Sequence, residues 1–313
     1  MPKVLAADIG ATNARFALYE TGAKGLCTLR EETFSSQSGS FMSALQQIRE
    51  HWDEALSGLD GIGVAAAGLL QDGCIRMTNA AFSVEAREIQ ALFPKVNVEL
   101  MNDFEAQARG LAAPGCEKSL KTLYVAQAPW KSSVSAIIGA GTGFGAAWLL
   151  EGDCPQAMTS EFGRTPLAFE TTESDLARYF EQRHAGTPVV VEHLLSGQGL
   201  SDLHAYLTGN REDPSVFTRQ EGFPESQTSA IFARFYARAT RTAALAVLPQ
   251  RIVIGGGLAR KSPSLVEHDN FLSEFFRAES KHLEYLKRVN IFVDTRGELG
   301  LWGAALKALT TKE

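Results

Sequence analysis

The chain has 313 residues, 45% of them hydrophobic and 21% charged, with a formal net charge of −6 and a pI near 5.6. A chain of this length buries a large core and sits more comfortably as two domains than as one. Its acidic balance argues against nucleic acid or an anionic membrane as a partner, because both need basic surface.

The start of the chain, Met1-Pro2-Lys3, carries no cationic segment followed by a long apolar run, and no stretch approaches the ~18 apolar residues of a membrane span. The four cysteines, at 27, 74, 116 and 154, lack CxxC spacing and histidines in ligand register. Neither a zinc site nor a disulfide framework is therefore suggested, and a reducing cytoplasm fits. Val4-Leu5-Ala6-Ala7 reads as a buried strand, Asp8-Ile9-Gly10-Ala11-Thr12-Asn13 as a turn, and Ala14 to Tyr19 as the returning strand. Ser40 to Ile48 has apolar residues at helical spacing behind a serine cap. Gly61 to Gly68 is small and apolar throughout, a buried strand ending at a close backbone approach.

Thr78-Asn79 precedes a helix that Ser83 is expected to cap and that runs to about Phe93. The pair faces a cleft or serves turn chemistry, and spacing alone favours the turn. Val96 to Met101 is a strand running straight into a helix at Asn102-Asp103. A carboxylate there is stabilised as the anion by the helix dipole and stands at the end of a strand, where α/β proteins place their chemistry; capping of the helix is the competing role. Pro114 and Gly115 break the chain before a short strand, Lys121 to Val125.

The second glycine-rich turn is Gly139-Ala140-Gly141-Thr142-Gly143-Phe144-Gly145, flanked by Ser133 to Ile138 and Ala146 to Leu150. Glycines free its amides to converge on an anion. It is not a Walker A loop, and no helix follows it as a dinucleotide fingerprint requires, so strand, turn and returning strand is the better reading. Two such hairpins suggest a duplicated fold and two turns gripping one polyphosphate. Glu161 and Arg164 stand three residues apart in a polar loop, spaced for a local ion pair. Glu192 lies in an apolar run, where an acid is rarely left without a partner, and His193 beside it reads as structural. A helix is expected from Ser201 to Leu207, a surface excursion over 209–228, and an amphipathic helix from Ser229 to Leu248. Arg251 to Ala259 is a strand opening through Gly255, Gly256 and Gly257 into a helix; three glycines exceed what a turn needs and suit a flat base lying against bare backbone. A last strand, Asn290 to Val293, precedes a terminal helix beginning near Gly300.

Taken in order over nearly the whole chain, these motifs resemble the bacterial glucokinase family of the actin, Hsp70 and sugar-kinase superfamily. Asp8 to Arg15 resembles its first phosphate motif, Gly139 to Gly145 its second, and Ile254 to Leu258 its adenosine motif. Asn102-Asp103-Phe104 resembles its catalytic stretch. Where the family has Glu-Gly-Gly-His, this chain has Glu161-Phe162-Gly163-Arg164, so arginine replaces a sugar-contacting histidine and Phe162 adds bulk.

The resemblance implies an α/β, two-domain actin-like (ribonuclease H-like) ATPase fold with the active-site cleft between the domains. The small domain would take 1–104 with about 297–313, and the large domain 105–296. It implies transfer of the ATP γ-phosphoryl group to a hexose, foremost the 6-hydroxyl of glucose, with Asp103 as general base. Asn79, Asn102, Asp103, Glu161, Arg164 and Glu192 would bind the sugar. Gly10, Thr12, Asn13, Gly141, Thr142, Gly143, Gly255, Gly256 and Gly257 would bind the nucleotide, Asp8 would hold Mg²⁺ through water, and the protein would be a homodimer. Arg164 motivates an alternative, a kinase for another sugar. A non-catalytic sugar or nucleotide sensor on the same fold is the third reading, weighed against by the presence of Asp103.

Overall fold

The structure is a computed structural model and describes residues 1–22, 25–36, 40–78 and 82–310. The chain divides into two compact units, Met1–Ser119 with Ala147–Thr159 and Glu298–Glu313, and Leu120–Ala146 with Ser160–Gly297.

The first sheet is built from β1 (Lys3–Ile9), β2 (Asn13–Gly22), β3 (Gly25–Ser35) and β4 (Leu59–Ala66). Three short strands follow, β5 (Gly68–Gln71), β6 (Cys74–Met77) and β7 (Ser83–Glu85), which form a small antiparallel sheet of their own. β8 (Asn97–Asn102) then completes the first sheet in the order β3-β2-β1-β4-β8. β2 and β3 are antiparallel additions, whereas β1, β4 and β8 run parallel. The unbroken apolar run of β1 is what a parallel strand covered on both faces requires. Leu5, Ala7 and Ile9 enter one core with Phe16, Phe41, Leu45 and Ile48, while Val4 and Ala6 enter another with Met101, Leu301, Ala304 and Ala308. This alternation assigns the helix Phe41–His51 to one face and the terminal helix Leu299–Thr310 to the other. Ser40 caps the former, accepting from the Ser43 amide at 3.1 Å.

Ser83 does not cap a helix: it opens β7, and the helix Ala86–Leu92 begins three residues later. Ser83 pairs with Arg76 in the small sheet, and the Ala86 amide, which a cap at Ser83 would have served, donates to the Gly73 carbonyl at 2.9 Å.

The second sheet contains β9 (Leu120–Tyr124), β10 (Val134–Ala140), β11 (Phe144–Leu150), β12 (Gln156–Ser160), β13 (Arg251–Gly255) and β14 (Asn290–Asp294), in the order β12-β11-β10-β13-β14-β9. Setting β9 aside, the pattern repeats the first sheet. A central strand has the next two strands of its half on one side and, on the other, two strands that run parallel to it. The antiparallel β9 is an addition at the edge. The helix Gln227–Val247 buries Phe232, Phe235, Tyr236, Ala239 and Ala243, the stripe that its periodicity predicts. It also takes Arg238 inside, a burial made tolerable by the Glu173 carboxylate at 2.8 Å.

Two expectations in this half are corrected. The helix read as starting at Ser201 starts at Gly197, because Ser196 caps it by accepting from the Gly199 amide at 3.1 Å. The 209–228 excursion is no loose loop: it includes the helix Pro214–Phe217, and Phe217 and Phe223 are buried, with the Phe217 ring lying parallel to His204 at 4.1 Å. Among the described residues no helix is long and apolar enough to cross a membrane, and all four cysteines are free.

Candidate active site

In the first unit the parallel strands end level with one another. Ile9 pairs with Ala66 and Ala66 with Asn102, so the carboxyl ends of β1, β4 and β8 form one rim. In open α/β sheets that rim is where ligands bind. Asp8 stands on it from β1, and Asp103 follows β8 as the first residue of the helix Asp103–Gly110. Asn102 is the helix cap: its Oδ1 accepts from the Phe104 and Glu105 amides at 2.9 and 3.2 Å, and its Nδ2 donates to the Gly68 carbonyl at 3.0 Å. Capping and display are thus divided between neighbours, with Asn102 fixing the helix start and Asp103 presented by it.

Asp103 is partly accessible, yet the protein around its carboxyl desolvates it and raises its pKa to about 7. The negative charge of Asp8 pushes in the same direction, while hydrogen bonds from the Phe104 and Asp103 amides and from Asn102 pull less strongly the other way. A carboxylate poised near neutrality is suited to taking a proton from an alcohol. Gly300, in the first turn of the terminal helix, lies against Asp8: a side chain there would approach the carboxylate to 2.8 Å. The turn between β1 and β2 is closed by the Gly10 amide on the Asn13 carbonyl at 2.9 Å. Ser36 braces it, its amide donating to the Thr12 carbonyl and its hydroxyl to the Gly10 carbonyl, each at 2.9 Å. Thr12 and Asn13 remain exposed at its tip; Thr78, just after β6, is exposed as well, and Asn79 lies outside the described residues.

The corresponding turn in the second unit is Gly141–Gly143. Its Gly141 amide donates to the Gly143 carbonyl at 2.8 Å, and its Gly141 carbonyl accepts from the Gly197 amide, also at 2.8 Å. The Tyr236 hydroxyl, fully buried, accepts from the Ala140 amide at 3.1 Å, and the Glu192 Oε2 accepts from the Phe144 amide at 2.8 Å. Thr142 is exposed at the tip. Gly255 pairs with Gly139 across the sheet, so closely that a side chain at 139 would strike the Gly255 backbone, and Gly256 adopts φ +84° where a side chain would strike the Ala140 backbone. A side chain at Gly257 would meet open space.

Glu192 has the partner its apolar setting demanded. Arg164 Nη2 lies 3.0 Å from Glu192 Oε1, so the ion pair joins 164 to 192 and not to Glu161, which is exposed at the start of the single turn Phe162–Arg164. That turn points the 161 and 164 side chains apart in role, while the Arg164 amide still donates to the Glu161 carbonyl at 2.9 Å. Phe162 adds no bulk at the surface: it is buried, with its ring 6.3 Å from that of Phe144. His193 is structural, as expected. Its Nδ1 accepts from the Val190 amide at 3.3 Å, its ring stacks on His184 at 3.6 Å, and burial holds its pKa below the ordinary value.

Sequence reasoning did not single out Ser36, Gly197, Tyr236 or Gly300. Of these Tyr236 had a legible signal, since a tyrosine on the buried stripe of a helix must bring its hydroxyl to a partner.

Against known proteins, residues 5–311 match the family model described as glucokinase. A glucokinase from Caulobacter sp. (strain K31) is 30% identical over 96% of this chain and 94% of its own length. Among solved structures, a glucokinase from an Antarctic psychrotroph superposes with a TM-score of 0.83 at 25% identity, covering 99% of this chain and all of that one, as 100%. A glucokinase from Balamuthia mandrillaris, solved in complex with glucose, gives a TM-score of 0.79 at 19% identity over 98% and 94% of the two chains, and shows likeness of fold. The repeated sheet order is that of the two-domain actin-like ATPase fold. The chain belongs to the glucokinase family, and so to the ATP-dependent sugar phosphotransferases.

Proposed function

We propose that this protein transfers the γ-phosphoryl group of ATP to the 6-hydroxyl of glucose, with Asp103 as the general base. The observation that carries this reading is the Asp103 carboxyl, displayed at a helix N-terminus on the strand-end rim with its pKa raised to about 7. Phosphoryl transfer asks the protein mainly to position and to neutralise charge, so a single well-placed base suffices. Asp103 takes the hydroxyl proton as the oxygen attacks. Asn102 holds the helix start that aims it, and its side-chain amide stands beside the Asp103 carboxyl, where a sugar hydroxyl would meet both. Glu161, Arg164 and Glu192, with Asn79, supply the other contacts to the sugar.

Thr12, Asn13 and the amides near Gly10 are the first unit's groups for phosphate oxygens, and Gly141, Thr142 and Gly143 are the second unit's. The adenine lies against Gly255 to Gly257, with Gly257 the position left bare. Magnesium fits the residues present. Among the described residues no group of three or more His, Cys, Asp or Glu could cage a metal. Magnesium needs no such cage, because it keeps much of its water and is held by one or two carboxylates plus substrate phosphates. Asp8 is the carboxylate placed for that, and the ion would supply charge neutralisation on the transferring group. A homodimer in the cytoplasm is part of the same reading, supported by the family resemblance and by four free cysteines; sedimentation as a monomer at micromolar concentration would contradict the dimer.

The test is ADP formation with Mg-ATP across glucose, mannose, fructose, N-acetylglucosamine and a no-sugar control, alongside Asp103→Asn. Glucose-dependent turnover that disappears in the variant is expected. Turnover only with another sugar would overturn the substrate, and turnover undiminished by Asp103→Asn would overturn the base.

A further inference from the structure

The Glu192 carboxylate has two oxygens with two different tasks. Oε2 accepts from the Phe144 amide at 2.8 Å, at the exit of the Gly141–Gly143 turn, and Oε1 faces the Arg164 guanidinium at 3.0 Å. The approach to the turn is so close that a side chain at Gly143 would run into this carboxylate. The backbone beneath Glu192 is pinned as well. The Val191 amide donates to the Thr165 carbonyl at 3.0 Å, tying the Glu192 segment to the one that carries Arg164, and the Leu195 amide closes the short helix on Val191 at 2.9 Å. The acid is therefore held in place before any ligand arrives.

We propose that Glu192 is a positioning residue for the nucleotide phosphates as well as a sugar ligand, and that Arg164 is the charge compensator that makes this double use tolerable. The inference rests on the kinase reading above and deepens it. A carboxylate is the strongest acceptor available to fix the Phe144 amide, and with it the exit of the turn. The same negative charge beside a turn that receives phosphate repels the ligand, an effect that weakens little over such distances in a partly desolvated setting. A guanidinium on the opposite oxygen offsets the charge without competing for the amide. Arg164 suits that position because it is permanently charged and only donates. An arriving sugar hydroxyl meets Oε1 and Arg164, on the side away from the turn, so sugar binding leaves the brace intact. With the Arg164 side chain about half exposed, the pair adds little to stability by itself, and its value lies in what it does to the neighbouring phosphate site.

The test reads nucleotide binding without turnover: titration of a non-hydrolysable ATP analogue with magnesium into the full chain, in the absence of sugar. Glu192→Ala removes the brace and should weaken binding about five- to tenfold. Glu192→Gln keeps an acceptor for the Phe144 amide and should bind within about twofold of the parent, while its sugar affinity falls. Arg164→Ala exposes the bare carboxylate to the phosphates and should weaken binding by about three- to fivefold, more at low salt. Adding Glu192→Gln to Arg164→Ala should restore it. Unchanged binding in Glu192→Ala, or a loss in Arg164→Ala that Glu192→Gln fails to repair, overturns the inference. If the parent itself binds no nucleotide, the kinase reading falls and the brace falls with it; the Glu192→Gln rescue separates a local role from general misfolding.

Discussion

The turn at Gly10–Asn13 and the turn at Gly141–Gly143 occupy the same place in two sheets of the same strand order. They differ in what stands behind them. The first is braced from its own surface by Ser36 and has two acids on the rim beside it, Asp8 and Asp103, whose mutual repulsion helps hold Asp103 near neutrality. The second is braced from inside by Tyr236, Gly197 and Glu192, and its acid is neutralised by Arg164. The two units thus repeat one strand-and-turn frame with different supports. In the first frame two acids stand close enough for the Asp8 charge to help raise the Asp103 pKa, whereas in the second the acid is paired with an arginine.

The largest effect should come from breaking that asymmetry at its reactive end. Asp103→Asn removes the base while leaving the Asn102 cap in place, and should lower kcat on the order of 10²- to 10⁴-fold with little change in nucleotide affinity. Glu192→Gln, the matching substitution in the other half, should act mainly on the KM for sugar. Steady-state rates with each substrate varied in turn distinguish the two. Equal losses of kcat in both variants would mean that the halves are not specialised in this way.

The pH dependence sharpens the same contrast. With its pKa near 7, Asp103 is about one-tenth ionised at pH 6, so kcat/KM should fall about tenfold from its alkaline plateau on that limb. Asp8→Asn removes the like charge and should move the midpoint to lower pH; the position of the limb is the readout, since on the proposed role of Asp8 the variant should also lose magnesium affinity. Stability should respond in the opposite sense to activity. A carboxyl whose folded pKa lies above its unfolded value binds a proton in the native state that the unfolded chain has released. Folding therefore loses stability as pH rises from about 4 to about 7. Asp103→Asn should then melt higher than the parent at pH 8, by the equivalent of about 1–3 kcal/mol, and similarly to it at pH 4. Melting curves at the two pH values check this, and a variant less stable than its parent at pH 8 would contradict the raised pKa.

Much of this frame was legible because apolar periodicity and glycine turns are local signals. β1, β2, β4, β8, β10, β11 and β13 and the helix Gln227–Val247 all lie where alternation or helical spacing put them. Asp103 was legible for the same reason, as the residue where a strand becomes a helix. What the sequence concealed depends on contacts between distant segments. The partner of Arg164 is 28 residues away at Glu192, not three residues away at Glu161. The burial of Phe162 against Phe144, and of Phe217 and Phe223 within a segment of polar composition, likewise follows from tertiary packing that overrides local character. Within 255–257, Gly256 answers to its positive φ and to the Ala140 backbone beside it, a requirement set by the neighbouring strand that no local signal showed.

The smallest effect tests the difference in bracing itself. Tyr236→Phe deletes the buried hydroxyl that accepts from the Ala140 amide at 3.1 Å and leaves that amide without its acceptor. An orphaned buried donor costs about 1–3 kcal/mol. Ser36→Ala deletes a hydroxyl that donates to the Gly10 carbonyl at 2.9 Å, in a partly exposed setting where water can replace it, and should cost about 0.5–1 kcal/mol. The order of the two losses, read from urea midpoints at unchanged m-value, is the prediction. A larger loss at Ser36 than at Tyr236 would place the firmer support behind the first turn. In that case the second turn would be the compliant one, and its closeness to Glu192 and Arg164 would have to serve motion in place of fixed positioning.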